Sequence, residues 1–218
     1  TTRGFEDVLE IGRHVRRDIY SSVAEQRALL VPRARRFGID ERMRADGTVE
    51  RALNVADVAP LAERLRDSGA EAGAICLIHS YSNAAHEEAL ANALVAHLPG
   101  VSICTSHDVS PELREFERTS TTVINALLMP VVGAYLQRLE VTLHEAGMDP
   151  ALYLFQSNGG VMHPHRAVQV PVRLLLSGPA GGALAARTVG HTHSEPDLVG
   201  IDMGGTSFDV CVVNNGNV

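Results

Sequence analysis

The alternation of apolar and polar positions changes period several times along this chain, and each change predicts an element. Glu6 to Ile11 has a helical pattern. The stretch from Val31 to Glu50 reads as an extended segment followed by a hairpin, with Ala45-Asp46-Gly47-Thr48 as the turn because Asp-Gly tolerates positive φ. A helix is expected from about Val55 to Ser68, with Leu61 and Leu65 on its inner face. Ala72 to His79 is short and almost continuously apolar, as in a fully buried strand. Asn83 then caps a helix that ends at Leu98 before Pro99-Gly100, and Val101 to Thr105 is the next strand. Strand, helix and strand at this spacing form a βαβ unit.

Pro111 to Gly147 is helical in pattern, with Pro130 expected to kink or split it. Val123, Leu127, Val131, Tyr135, Leu139 and Leu143 suggest a buried stripe. Leu152 to Gln156 is a short strand that runs into Ser157-Asn-Gly-Gly160. The apolar run Val172 to Leu176 is a further strand candidate, followed by Ser177-Gly-Pro-Ala-Gly-Gly182 and a short helix of small residues from Ala183 to Val189. Leu198 to Met203 and Phe208 to Val213 are two strands joined by Gly204-Gly-Thr-Ser207. The chain starts without methionine and stops at a turn signal, Asn214 to Val218, so it is expected to be an internal fragment of a longer protein. The fold class is α/β, two α/β parts joined by a long helix, with parts expected at 1–118 and 119–218.

Composition narrows the chemistry. With 218 residues, 45% hydrophobic and 21% charged, the chain is of ordinary globular make-up. The net charge of -7 and the lack of a basic block argue against a nucleic-acid partner. All 19 basic residues are arginines. Without lysine there is no Walker A loop and no Schiff-base chemistry, so any phosphates must be held by amides, hydroxyls, arginine or a metal. Cys76, Cys104 and Cys211 form no CxxC pair and read as buried free thiols in a cytoplasmic protein. No signal-peptide core or run of about 18 apolar residues occurs, so no membrane partner is expected.

The frame Asp202-Met-Gly-Gly-Thr-Ser-Phe-Asp209 is the strongest chemical signal. Gly204 and Gly205 let the backbone approach an anion closely, and Thr206 and Ser207 add hydroxyl donors. Asp202 is placed to hold Mg²⁺ directly or through water, and Asp209 begins the return strand. Its plain alternative is an ordinary hairpin with a glycine turn. Ser177, Gly178, Gly181 and Gly182 open a helix, where amides and dipole favour an anion; close packing through small residues explains them equally well. Gln156 to Gly160 offers polar side chains at a strand end, so three glycine-rich turns at strand ends suggest one crevice. The pairs His163/His165 and His191/His193 read as surface histidines in polar loops rather than metal ligands. Glu112, Glu115, Arg118 and Thr119 to Thr122 crowd the start of the long helix, as capping and solvated surface or in a domain-crossing role.

Taken in order, Arg114-Glu-Phe-Glu-Arg-Thr-Ser-Thr-Thr122, Asn125-Ala126, Gln156-Ser-Asn-Gly-Gly160, Ser177-Gly-Pro-Ala-Gly-Gly182 and Asp202-Met-Gly-Gly-Thr-Ser-Phe-Asp-Val210 resemble the hydantoinase A/5-oxoprolinase family. Thr1 to Gly12 and Cys76 to Asn83 match it as well. The resemblance implies an ATPase core of the actin, sugar-kinase and Hsp70 type, using ATP and Mg²⁺, in which two phosphate hairpins face each other across a cleft. Asp202 to Thr206 would be the second; the first, and the adenosine region, lie outside this chain. The implied activity is ATP-dependent opening of a small cyclic amide (hydantoin, N-methylhydantoin or 5-oxoproline) through phosphorylation of its oxygen, completed by a hydantoinase B-type subunit. The implied alternatives are an ATP-dependent carboxylase subunit of the same family and a non-catalytic subunit-docking module.

Overall fold

A computed structural model of the chain describes residues 1–13, 15, 20, 22, 29–148 and 151–218. They form two units, Thr1–Val131 and Val132–Val218. Part of the arginine-rich stretch, including Arg16, Arg17 and Arg27, lies outside the described residues.

In the first unit, α1 (Val8–Ile11) is followed by a two-stranded hairpin of β1 (Arg42–Met43) and β2 (Val49–Arg51). Its turn is the expected one: Gly47 has φ +82° and the Asp46 carboxylate accepts from the Thr48 amide at 2.9 Å. α2 (Val58–Asp67), β3 (Ala72–Ile75), α3 (Ala85–His97) and β4 (Ser102–Thr105) follow, and β3 and β4 pair in parallel from Ala72↔Ser102 to Ile75↔Thr105. Their core is Ile39, Val58, Ile75, Leu77, Leu90 and Leu94. Arg36, side chain 5% exposed, donates to the Glu6 carbonyl and pairs with Asp7 and Glu10. Part of the arginine content is thus structural.

β3 stops at Ile75, four residues before the expected end at His79. The reason is a carboxylate. Glu87 of α3, fully buried, accepts from the Leu77 amide at 2.8 Å, the Ser106 hydroxyl at 2.7 Å and the His107 amide at 2.9 Å. A side chain replaces strand pairing here, and the chain turns. Ser106 and His107 belong to α4 (Ser106–Val109), a short helix that the sequence pattern does not announce. A second buried acid, Glu41, accepts from Thr2 Oγ1 and bonds His86 Nδ1 at 2.7 Å.

α5 runs unbroken from Glu115 to Glu145 with Pro130 inside it, so the expected split does not occur. The expected buried stripe holds at Val123 but not along its length: Leu127, Val131 and Tyr135 are more than half exposed, while Arg118, Thr122, Asn125, Met129 and Leu136 are buried. A repeat of four residues overshoots a 3.6-residue turn by about 40° at each step, so that series winds around the helix instead of staying on one face. Arg118 and Thr122 are accordingly not solvated surface. The helix also contains an 18-residue window of mean hydropathy 1.4, long and apolar enough to cross a membrane, although no continuous apolar run of that length exists. That window is 28% buried, and Thr122 and Asn125 of the helix are fully buried.

The second unit pairs β5 (Leu154–Phe155) with β6 (Val161–Met162), followed by α6 (Pro164–Gln169). The strand expected at Val172–Leu176 is instead a 3-10 turn, Pro171–Leu174, which Pro171 opens because its fixed φ suits the first position of a helical turn. α7 spans Ser177–His193, longer than expected at both ends, since Pro179 is tolerated in a first turn. β7 (Leu198–Met203) and β8 (Phe208–Val213) have the expected bounds and pair antiparallel. The three cysteines are free; burial pushes Cys76 up to about 12 and Cys104 up to about 11, which keeps both as inert thiols.

The Glu87 cluster makes stability depend on pH in a defined sense. Burial opposes ionisation of Glu87, but hydrogen bonds from His107, Leu77 and Ser106 hold its carboxyl below the ordinary value. The Glu87 hydrogen bond raises His107 above its own. The depressed acid stabilises above about pH 4.3 and loses that effect as pH falls through its folded value; the raised histidine stabilises below about pH 6.5 and loses it as pH rises through its folded value. The cluster should contribute most between those limits. Urea unfolding from pH 4 to 9 is expected to show a decline above pH ~6.5 that His107→Gln reduces; identical alkaline limbs in both proteins would refute it.

Candidate phosphate site and its relatives

The second unit assembles the glycine motifs around the start of α7. A Cβ at Gly200 of β7 would lie 2.9 Å from the Cβ of Ala186 and 2.5 Å from Cys211 Sγ, so helix and hairpin touch at van der Waals distance only because that side chain is absent. This close approach brings the Asp202 carboxylate to the helix: its Oδ2 is 3.8 Å from where a Gly182 Cβ would stand. Asp209 is the direct cross-strand partner of Asp202, so both carboxylates share one face of the ladder. Opposed like charges are unfavourable unless a cation joins them. Among the described residues neither carboxylate has a basic partner, and no group of three metal-ligating side chains occurs.

Gly204 closes the turn by donating its amide to the Ser207 carbonyl at 3.0 Å. Gly205 has no atom within 4 Å of a would-be Cβ, and Thr206 and Ser207 are exposed. The turn is therefore an open cradle. Ser177 and Gly178 begin α7 without a side-chain cap, behind Leu176, a non-glycine residue at φ +60°. The first inward amide bond of this turn is Ala180 to the Leu176 carbonyl at 3.3 Å. Uncapped amides at a helix start are available to an anion.

The loop Gln156 to Gly160 reaches the same helix. A Gly159 Cβ would stand 2.8 Å from Leu184 Cδ1, and a Gly181 Cβ would stand 3.9 Å from the Phe155 ring. Gln156 Nε2 donates to the Val161 carbonyl at 3.1 Å, while its Oε1 is buried without a partner. Asp202 and the Gln156–Gly160 loop both reach α7, and only two of the three motifs follow strands, because the segment before Ser177 is a 3-10 turn. The histidine pairs do not behave as loop residues. His163 precedes α6 and His165 lies within it, and His191 and His193 lie within α7, where positions two apart point to different sides.

The sequence profile of the hydantoinase/oxoprolinase family matches residues 118–218, and that of its N-terminal region matches residues 1–98. The chain belongs to the hydantoinase/oxoprolinase family. It is 35% identical to caprolactamase subunit alpha of Pseudomonas jessenii over 99% of its own length, and 29% identical to 5-oxoprolinase of Saccharomyces cerevisiae over its whole length. The chain spans 31% of the first relative and 19% of the second. Among solved structures, the ATP-dependent caprolactamase of Pseudomonas jessenii superposes with a TM-score of 0.85 at 35% identity, covering 97% of this chain and 31% of that one. Nucleotide-free acetone carboxylase gives 0.83 at 26% identity, covering 99% and 32%.

Sequence reasoning on this family member missed the buried acids Glu41 and Glu87 and the buried role of Arg118. The only sequence signal was the acidic pair Glu87-Glu88, which reads equally well as a helix first turn. Two glycine variants separate packing from ligand contact. Gly200→Ala is expected to destabilise the second unit by about 1–3 kcal/mol through overpacking, whereas Gly205→Ala leaves the unfolding midpoint unchanged. Urea titrations of both variants check this; equal midpoints would contradict the helix–hairpin packing.

Proposed function

We propose that this chain supplies the second phosphate-binding element of an ATP-dependent enzyme that opens small cyclic amides. The observation that carries the reading is the approach of Asp202 to Gly182, which unites the hairpin with the amide-rich start of α7. The residues fit a phosphate group: the Gly204-Gly205 cradle is open, the Ser177 and Gly178 amides are uncapped, and two carboxylates face one side with no basic side chain paired to them among the described residues. Gly204, Gly205, Thr206 and Ser207 would hold phosphate oxygens, and Ser177, Gly178, Gly181 and Gly182 would line the anion's other flank. Asp202, with Asp209 across the ladder, would hold Mg²⁺ through water, the manner in which Mg²⁺ is usually bound beside phosphates.

Bound ATP supplies a phosphoryl group that makes an unreactive amide oxygen a leaving group. The residues of this chain orient that group, exclude competing geometries and present charge to the reacting centre. Higher identity to caprolactamase than to acetone carboxylase (35% against 26%) favours ring opening over carboxylation. Related chains are named as alpha, beta and gamma subunits, which supports a companion subunit; we assign it the hydantoinase B type, completing the hydrolysis.

In the full-length enzyme with its companion subunit, Asp202→Asn is expected to lower turnover about a hundredfold or more with little change in the KM for ATP, because a charge facing the phosphates serves the transition state. Gly205→Val should raise the KM for ATP instead, by filling the cradle. Steady-state kinetics with a lactam substrate separate the two, and wild-type turnover in Asp202→Asn would make the hairpin structural and the chain a docking module.

A further inference from the structure

The first unit contains a turn that the phosphate reading does not use, and its contacts stand independently of that reading. It lies just past the C-terminal ends of the parallel strands β3 and β4, the end at which open α/β sheets bind ligands. At its centre is His79, with φ +60°, a left-handed conformation that is unfavourable for a non-glycine residue. Three buried side chains hold the backbone in place. Glu87 accepts from the Leu77 amide, Thr2 Oγ1 accepts from the Ile78 amide at 3.0 Å, and Arg118 Nη2 donates to the Leu77 carbonyl at 3.0 Å. The His79 carbonyl in turn accepts from the Ser82 amide at 2.9 Å. The conformation is over-determined from outside, while the His79 ring makes one hydrogen bond, Nδ1 to Tyr81 Oη at 3.1 Å.

Arg118 is the second observation. It is 1% exposed, its Nε is buried without a partner, and among the described residues no carboxylate pairs with it. Its guanidinium lies 5.4 Å from the centroid of the Tyr81 ring. Its Nη1 donates to the Glu112 carbonyl at 2.9 Å, two residues before Arg114, which also has a left-handed backbone (φ +77°). One arginine thus pins two loops that each carry a left-handed cation-capable residue. The nearest buried acid, Glu87, meets Arg118 only across the Leu77 peptide groups, accepting from the Leu77 amide while Arg118 donates to the Leu77 carbonyl, and makes no direct ion pair with it. A buried guanidinium with no direct ion-pair partner favours an anion.

We propose that His79 and Tyr81, with Arg118 behind them, form a binding site for a small oxyanion, a carboxylate or a phosphoryl group. His79 contacts the ligand through its free ring nitrogen, Tyr81 fixes the ring, and Arg118 is a positioning residue that supplies the compensating charge. Glycine would satisfy the backbone at position 79 without strain, so the imidazole is kept in that conformation for contact rather than for folding.

The test uses the full-length protein with histidines labelled for NMR, titrated separately with acetate and with inorganic phosphate. The His79 signal is the one lost in His79→Asn, since asparagine tolerates the left-handed backbone. A saturable shift of that signal is expected with one anion, acetate assigning a carboxylate and phosphate a phosphoryl group. His79→Asn should abolish binding with the melting temperature unchanged, and Tyr81→Phe should weaken it up to about tenfold, the loss of one hydrogen bond. No saturable shift with either anion, or undiminished binding in His79→Asn, would overturn the proposal.

Discussion

The candidate phosphate site depends on how closely α7 can approach β7. Gly200 and Ala186 set that distance, and any larger side chain at Gly200 would meet Cys211 and Ala186 at once. The small residues of α7 therefore have a packing reason that precedes any binding role. Once the helix is seated, Gly182 and Asp202 meet without further adjustment, and the uncapped amides of Ser177 and Gly178 begin the same helix. Packing and ligand chemistry, alternatives for this motif in the sequence, turn out to be successive consequences of one contact.

The first unit solves a different problem, that of ending a short parallel pair inside a protein. Beyond Ile75 and Thr105 the backbone has no ladder partner, and unpaired buried amides are costly. Glu87 takes the amides of Leu77 and His107, while Arg118 takes the carbonyls of Leu77 and Glu112. A carboxylate serves the donors and a guanidinium serves the acceptors. Burying one of each satisfies the backbone, and among the described residues the guanidinium makes no direct ion pair.

Family membership gives these two arrangements a common context. The fold is shared with a caprolactamase and an acetone carboxylase at TM-scores of 0.85 and 0.83, two enzymes named for different reactions, so the scaffold itself does not choose the chemistry. What varies between such enzymes must lie in side chains carried on the shared frame. A turn such as the one around His79, whose backbone is held by Glu87, Thr2 and Arg118 while its ring bonds Tyr81, is a place where that variation can be expressed.

Local sequence determined the elements whose rule is local. The hairpin β7–β8 has its expected bounds because two apolar strands flank a Gly-Gly turn, and the Asp46-Gly47 turn follows from backbone tolerance alone. The end of β3 was decided by tertiary structure, where Glu87, distant in sequence, captured the Leu77 amide; the 3-10 turn that Pro171 opens and the four-residue repeat that drifts around α5 are local effects hidden by the apolar pattern. The same holds for the sites. The Asp202 frame was legible because glycine and hydroxyl chemistry is written in consecutive residues, whereas His79, read as the end of a buried strand, Glu87, read as a helix first turn, and Arg118 are brought together only by folding.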